Sequence, residues 1–135
     1  YFKCPIALVD KRREGNDDRA IASTIIGDVK DKNAIIFDDE IDTAGSMIET
    51  VKVLNKFGAK AIYAGCTHGV LSGPAIERIK NSDIKELVIT NTIPLTDEKK
   101  IDNITVLSIA PLFAETIKRI HEERPLGELF DIWKR

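Results

Sequence analysis

Asn33-Ala34-Ile35-Ile36-Phe37-Asp38-Asp39-Glu40-Ile41-Asp42-Thr43-Ala44-Gly45-Ser46-Met47-Ile48 is the stretch on which the fold turns. Asn33 to Phe37 is a short apolar run suited to a buried strand, and it stops at Asp38. From Ser46 the period becomes helical. Met47, Ile48, Val51, Leu54 and Phe57 form an apolar stripe, Lys52 and Lys56 lie off it, and Gly58 supplies the stop. A strand that runs through a short acidic turn into an amphipathic helix is the repeating unit of α/β architecture.

The same alternation extends in both directions. Pro5 to Val9 is wholly apolar and reads as a buried strand, residues 10–20 are charge-rich with Gly15 and Asn16 among them and read as a loop, and Ser23 to Val29 reads as a returning strand. Downstream, Ala59 to Cys66 reads as a strand and Gly73 to Asn81 as a short helix begun near Pro74. Glu86 to Thr90 and Asn103 to Ile109 suit two more strands. Pro111 then opens a helix whose face is Leu112, Phe113, Thr116, Ile117 and Ile120. The expected fold class is α/β, a mainly parallel sheet flanked by helices and covered on both faces. Ligands of such sheets bind at the carboxyl ends of strands, which selects the turns after Val9, Phe37, Cys66 and Thr90.

Length and composition bound the function. The 135 residues make one domain, long enough to bury a core. Twenty basic against 22 acidic residues leave a net charge of -2, which gives no support to broad nucleic-acid or membrane-surface binding. No apolar run approaches the ~18 residues of a membrane span. Cys4 and Cys66 lie far apart with no metal-type spacing, as expected of two reduced thiols in a cytoplasmic protein. Because the chain opens on Tyr1, inside an apparent strand, a longer or processed parent is expected.

The turn after Phe37 carries the chemistry. Backbone N–H groups at a helix start are unpaired and partly positive, which makes them a phosphate cradle. Ala44 and Gly45 keep side chains out of the way, and Thr43 and Ser46 add hydroxyl donors. Asp38, Asp39 and Asp42 can accept hydrogen bonds from sugar hydroxyls. A phosphate grip beside a diol grip suits a phosphorylated pentose. A purely structural reading competes: Ser46 with Glu49 three residues on is a capping box, and carboxylates ahead of a helix are favourable without any ligand.

Asp38 to Ser46 closely resembles the sugar-phosphate signature shared by type I phosphoribosyltransferases and ribose-phosphate pyrophosphokinases. Three further segments favour the pyrophosphokinases. Asp10-Lys11-Arg12-Arg13 resembles the start of their flexible catalytic loop. Cys66-Thr67-His68-Gly69-Val70-Leu71-Ser72-Gly73-Pro74-Ala75 is similar to the segment after their next strand, and Lys85 to Ile93 follows in the same order. The resemblance covers essentially the whole chain.

It implies a type I phosphoribosyltransferase-like fold spanning residues 1–135 and matching the C-terminal of two similar domains. The implied reaction moves the β,γ-diphosphoryl group of Mg-ATP to the 1-hydroxyl of ribose 5-phosphate, giving phosphoribosyl diphosphate and AMP. Carried over by position, Lys11 and Arg13 are the catalytic cations, Asp38 and Asp39 hold the ribose hydroxyls, and Asp42, Thr43, Ala44, Gly45 and Ser46 hold the 5-phosphate. Cations around phosphate oxygens are what diphosphoryl transfer requires. The resemblance further implies ribose 5-phosphate and ATP as partners, Mg2+ as cofactor with no metal ligand in this chain, and a homo-oligomer of the full-length enzyme. The domain ahead of this one normally supplies a His and an Asp near the metal, so the isolated piece is expected to be inactive.

Two departures are visible. Ser46 stands where the family usually has Thr, keeping the hydroxyl, and Gly127-Glu128-Leu129-Phe130-Asp131 lacks the serines many members carry near a regulatory phosphate site. Two rival readings use the same turn. One is a phosphoribosyltransferase, for which no base-recognising hood is seen. The other is a non-catalytic synthase-associated regulatory subunit, against which Lys11 and Arg13 argue. His68 suits a structural role, His121 a surface one and Trp133 a docking contact.

Overall fold

A computed structural model describes residues 3–13 and 21–131, without the side chains of residues 11–13, 21–23, 130 and 131. The elements are β1 (Leu8–Arg13), β2 (Ile21–Ile26), β3 (Asn33–Ile41), α1 (Gly45–Lys56), β4 (Ala61–Gly69) and α2 (Ala75–Lys80). There follow β5 (Ile84–Thr90), a 3-10 turn (Asp97–Lys99), β6 (Ile104–Leu107), α3 (Ala110–His121) and α4 (Gly127–Asp131). The last four strands form one parallel sheet in the order β3-β4-β5-β6, and β1 pairs with β2 in a separate antiparallel ribbon.

That unreversed order decides where the core lies. Parallel neighbours joined by right-handed crossovers, with no reversal of direction, deliver their connections to one face of the sheet. On that face the register aligns Ile36, Ala64 and Leu87, and beside them Ile62, Cys66 and Ile89. Met47, Val51 and Leu54 of α1, with Ala75 and Ile79 of α2, join the same cluster. Ile62, Leu71, Ile79, Leu87 and Ile89 are the largest fully buried side chains. Each contributes about 1.5–3 kcal/mol of burial.

The opposite face departs from the expectation of cover on both sides. Ile35 is 54% exposed, Phe37 67% and Leu107 54%. Helix α3 does not cover them with its own stripe, since Leu112, Phe113, Ile117 and Ile120 are themselves exposed. Strand order, which no local pattern encodes, is the reason.

Several boundaries also move, two of them by four residues. Asp10–Arg13, expected in a loop, continue β1 and pair residue for residue with Thr24 down to Ile21 of β2. A two-stranded ribbon tolerates a charged run because its faces need not be buried, and it is anchored at its base by Ala7 and Ile25 packed against the core. Gly27 makes that base possible: its φ is +115°, and a Cβ there would stand 3.0 Å from the Ile6 carbonyl oxygen. Strand β3, expected to stop at Asp38, runs on to Ile41 because the ladder with β4 continues through Asp38↔Cys66, Glu40↔His68 and Ile41↔Gly69. Backbone pairing outweighs side-chain polarity here.

The two C-terminal helices are clasped by Arg119. Its guanidinium donates to Glu115 at 2.7 Å, to Glu128 at 2.8 Å and to the Pro125 carbonyl at 3.0 Å. His121 is exposed as read, and Trp133 lies outside the described residues.

Candidate functional site: the turn between β3 and α1

β3 carries Asp38, Glu40 and Ile41 to the carboxyl end of the sheet, and Asp42, Thr43 and Ala44 lead directly into α1. These residues, with Gly45, Ser46 and Met47, line one shallow depression. The structure therefore gathers Asp38, Asp42, Thr43, Ala44, Gly45 and Ser46 as the sequence suggested. Asp39 is not in the lining. Strand residues alternate faces, so Asp38 and Glu40 share a side and Asp39 points to the other. Its carboxylate accepts the Glu40 amide at 3.0 Å, while that of Asp38 accepts the Asp39 amide at 3.0 Å. Glu40, given no role in the sequence reading, is legible in hindsight from that period of two.

The helix start differs from a capping box. Ala44 is the N-cap, with φ 59° and ψ 7°, and no side chain caps the helix. Ser46 lies inside the first turn, its carbonyl accepting from the Thr50 hydroxyl at 3.0 Å, and Glu49 pairs with Lys52 at 2.8 Å. The first turn holds no acidic residue. The positive end of the helix thus opens on the depression with no acidic residue in its own first turn, and Ser46 and Glu49 do not form the capping box.

Neighbouring segments hold the turn. Ser72 donates through its hydroxyl to the Asp42 carboxylate and through its amide to the Asp42 carbonyl at 3.0 Å. The Leu71 amide donates to the Ile41 carbonyl at 3.0 Å. Arg78 of α2 donates from Nη1 to the Thr43 carbonyl at 2.9 Å. Neither Ser72 nor Arg78 was singled out from sequence, although Ser72 stands in the quoted segment after β4. Arg78 offers no local signal, because the contact joins residues 35 apart in the chain.

The strand ends beside the turn are tied by hydroxyls. Thr90 and Thr92 both donate to the Thr67 carbonyl, at 2.7 and 2.9 Å, and His68 Nδ1 lies 3.0 Å from the Thr92 hydroxyl. Cys66, under the site, has its thiol pushed up to about 11 by burial, and the charge of Asp38 acts in the same direction.

Lys11 and Arg13 sit on β1 opposite Ser23 and Ile21, and their side chains lie outside the described residues. Among the described residues no group of three His, Cys, Asp or Glu side chains is placed to hold a metal ion. A second hollow, lined by Leu95, Lys100, Ile101, Ile104 and Val106, is mostly apolar, and Lys100 there is turned to Asp97 at 2.6 Å. No helix among the described residues is long and apolar enough to cross a membrane.

The family model of the phosphoribosyl synthetase-associated domain matches residues 16–131. The chain belongs to that family. The chain is 57% identical over 126 residues to a ribose-phosphate pyrophosphokinase of Clostridium acetobutylicum, covering 93% of the chain and 39% of the relative. It is 59% identical over 129 residues to that of Caldanaerobacter subterraneus subsp. tengcongensis, covering 96% of the chain and 40% of the relative. The crystal structure of phosphoribosylpyrophosphate synthetase from Mycobacterium smegmatis superposes with a TM-score of 0.80 at 41% identity, over 88% of the chain and 37% of that protein. The chain thus spans about 40% of the length of the curated relatives it matches.

Proposed function

We propose that this chain supplies the ribose-5-phosphate site and the catalytic loop of a ribose-phosphate diphosphokinase, as the C-terminal of its two similar domains. The observation that carries the reading is the start of α1, without a side-chain cap, opened by left-handed Ala44 and lining the same depression as Asp38. Support comes from relatives named ribose-phosphate pyrophosphokinase at 57% and 59% identity.

In this reading the amides from Thr43 to Ser46, with two hydroxyls, receive the 5-phosphate, and Asp42 sits at its rim. Asp38 accepts from a ribose hydroxyl, and Asp39, on the other side of β3, contributes the lesser part of the diol grip. The 1-hydroxyl oxygen bonds to the β-phosphorus of ATP as the bond from that phosphorus to the bridging oxygen of AMP breaks, and the hydroxyl proton is released to solvent. Lys11 and Arg13 close over the reacting phosphates from the β1–β2 ribbon, where a guanidinium fork grips oxyanion pairs. Mg2+ belongs to the nucleotide substrate and lowers its charge; the residues described here do not form a site of their own for it. Assembly into a homo-oligomer and a cytoplasmic setting complete the proposal.

The test is AMP formation from ATP and ribose 5-phosphate by the full-length protein that carries this chain. AMP should appear only with both substrates, the isolated 135-residue chain should turn over negligibly, and Lys11→Ala should lower kcat about a hundredfold or more with little change in sugar-phosphate affinity. AMP release that ignores ribose 5-phosphate, or full turnover by Lys11→Ala, would sink the reading.

A further inference from the structure

The sugar-phosphate turn depends on a peptide that must face one way. Ala44 is a non-glycine residue held at φ 59°, a conformation that persists only where neighbours enforce it. Ala44 is buried in the core and its carbonyl accepts the Ile48 amide at 3.0 Å, while the peptide before it is engaged by Arg78, whose Nη1 lies 2.9 Å from the Thr43 carbonyl oxygen. The same nitrogen stands 3.4 Å from the point where a Cβ on Gly45 would sit, so the guanidinium lies flush against the turn. Arg78 itself is fixed on α2, which is seated in the core by Ala75 and Ile79, both at 0% exposure.

We propose that Arg78 is a positioning residue for sugar-phosphate binding, acting through the Thr43–Ala44 peptide. In a trans peptide the C=O and N–H point in opposite directions. Drawing the Thr43 carbonyl toward α2 therefore turns the Ala44 N–H away from α2. With Ala44 left-handed, its N–H and those that follow converge into an anion-binding concavity. Without the guanidinium that peptide is free to rotate, and an outward carbonyl would set an oxygen against the phosphate oxygens. The positive charge also helps through space, because Arg78 stands beside Gly45 while Asp38, Glu40 and Asp42 make the rest of the depression acidic. The inference rests on the sugar-phosphate reading of the turn.

The experiment titrates ribose 5-phosphate, and separately inorganic phosphate, into the full chain and its Arg78→Met and Arg78→Lys variants, while amide resonances of the ligand-free proteins are compared by NMR. Met keeps the stem of Arg78 but has no donor, whereas Lys keeps the charge and one donor. Arg78→Met should weaken ribose 5-phosphate by about tenfold and move the Ala44 and Gly45 amides, and Arg78→Lys should stay within about threefold. If Arg78→Met does not fold, Arg78→Gln, too short to reach the carbonyl, gives the same reading. A donorless variant with wild-type affinity and unmoved amides overturns the role of Arg78 alone. Failure of the wild-type chain to bind ribose 5-phosphate overturns the reading of the turn itself.

Discussion

Ser72 closes on Asp42 twice, through its hydroxyl to the carboxylate and through its amide to the carbonyl at 3.0 Å. The amide bond fixes the path of the backbone, and the hydroxyl fixes the carboxylate that borders the helix start. Ser72→Ala removes only the second. Overall stability should fall by no more than about 1 kcal/mol, because both groups reach solvent. Ribose 5-phosphate affinity should fall about threefold to tenfold, measured by calorimetric titration. An unchanged affinity would show that Asp42 needs no anchor.

The alternation along β3 yields a sharper comparison. Asp38 lines the depression and Asp39 faces the other way. Asp38→Asn should weaken ribose 5-phosphate about tenfold and Asp39→Asn by threefold or less, read by the same titration. Equal losses would mean that the diol lies across the strand rather than on one side of it.

Much of this was legible in the sequence, and the limits have physical causes. The switch from an apolar run to a helical stripe at Ser46 located β3 and α1, because periodicity is a local property. The acidic turn between them marked the candidate site for the same reason. The open face of the sheet was not legible. Ile35 and Phe37 look like core residues whether a helix covers them or not, and only strand order decides that. Arg78 was missed on similar grounds, since an arginine on a short helix reads as solvated until the fold sets it against Thr43. The capping box at Ser46 and Glu49 was a sound local pattern that the turn overrode, by starting the helix two residues earlier with Ala44 as its cap.

Gly69 is required by its neighbour rather than by its φ angle. A Cβ there would meet Ile89 Cδ1 at 3.0 Å and two further atoms of that side chain at 3.3 Å, and Ile89 is fully buried. Gly69→Ala should cost about 1–3 kcal/mol in denaturant unfolding, and adding Ile89→Val should recover part of the loss. An additive or larger loss in the double variant would contradict this packing.

The two thiols should separate by pH. Cys4 is exposed and Cys66 buried, and burial raises the Cys66 thiol to about 11 from a reference of 9.0. At pH 8 a thiol reagent should modify Cys4 in the native chain and spare Cys66, since only thiolates react. The sign for stability follows. The native state holds the Cys66 proton more tightly than the unfolded chain, so this contribution is intact below pH 9 and is lost as pH rises toward 11. Cys66→Ala should flatten that alkaline decline, followed by thermal melts across the window.

The most direct measurement of the central claim is a three-way titration of the full chain with ribose 5-phosphate, ribose and inorganic phosphate, followed through the amides of residues 43–47. A turn that joins a phosphate grip to a diol grip should bind ribose 5-phosphate at least about tenfold more tightly than either fragment, with the largest shifts at Ala44, Gly45 and Ser46. Binding of ribose 5-phosphate no tighter than inorganic phosphate, or shifts confined to other residues, would contradict it.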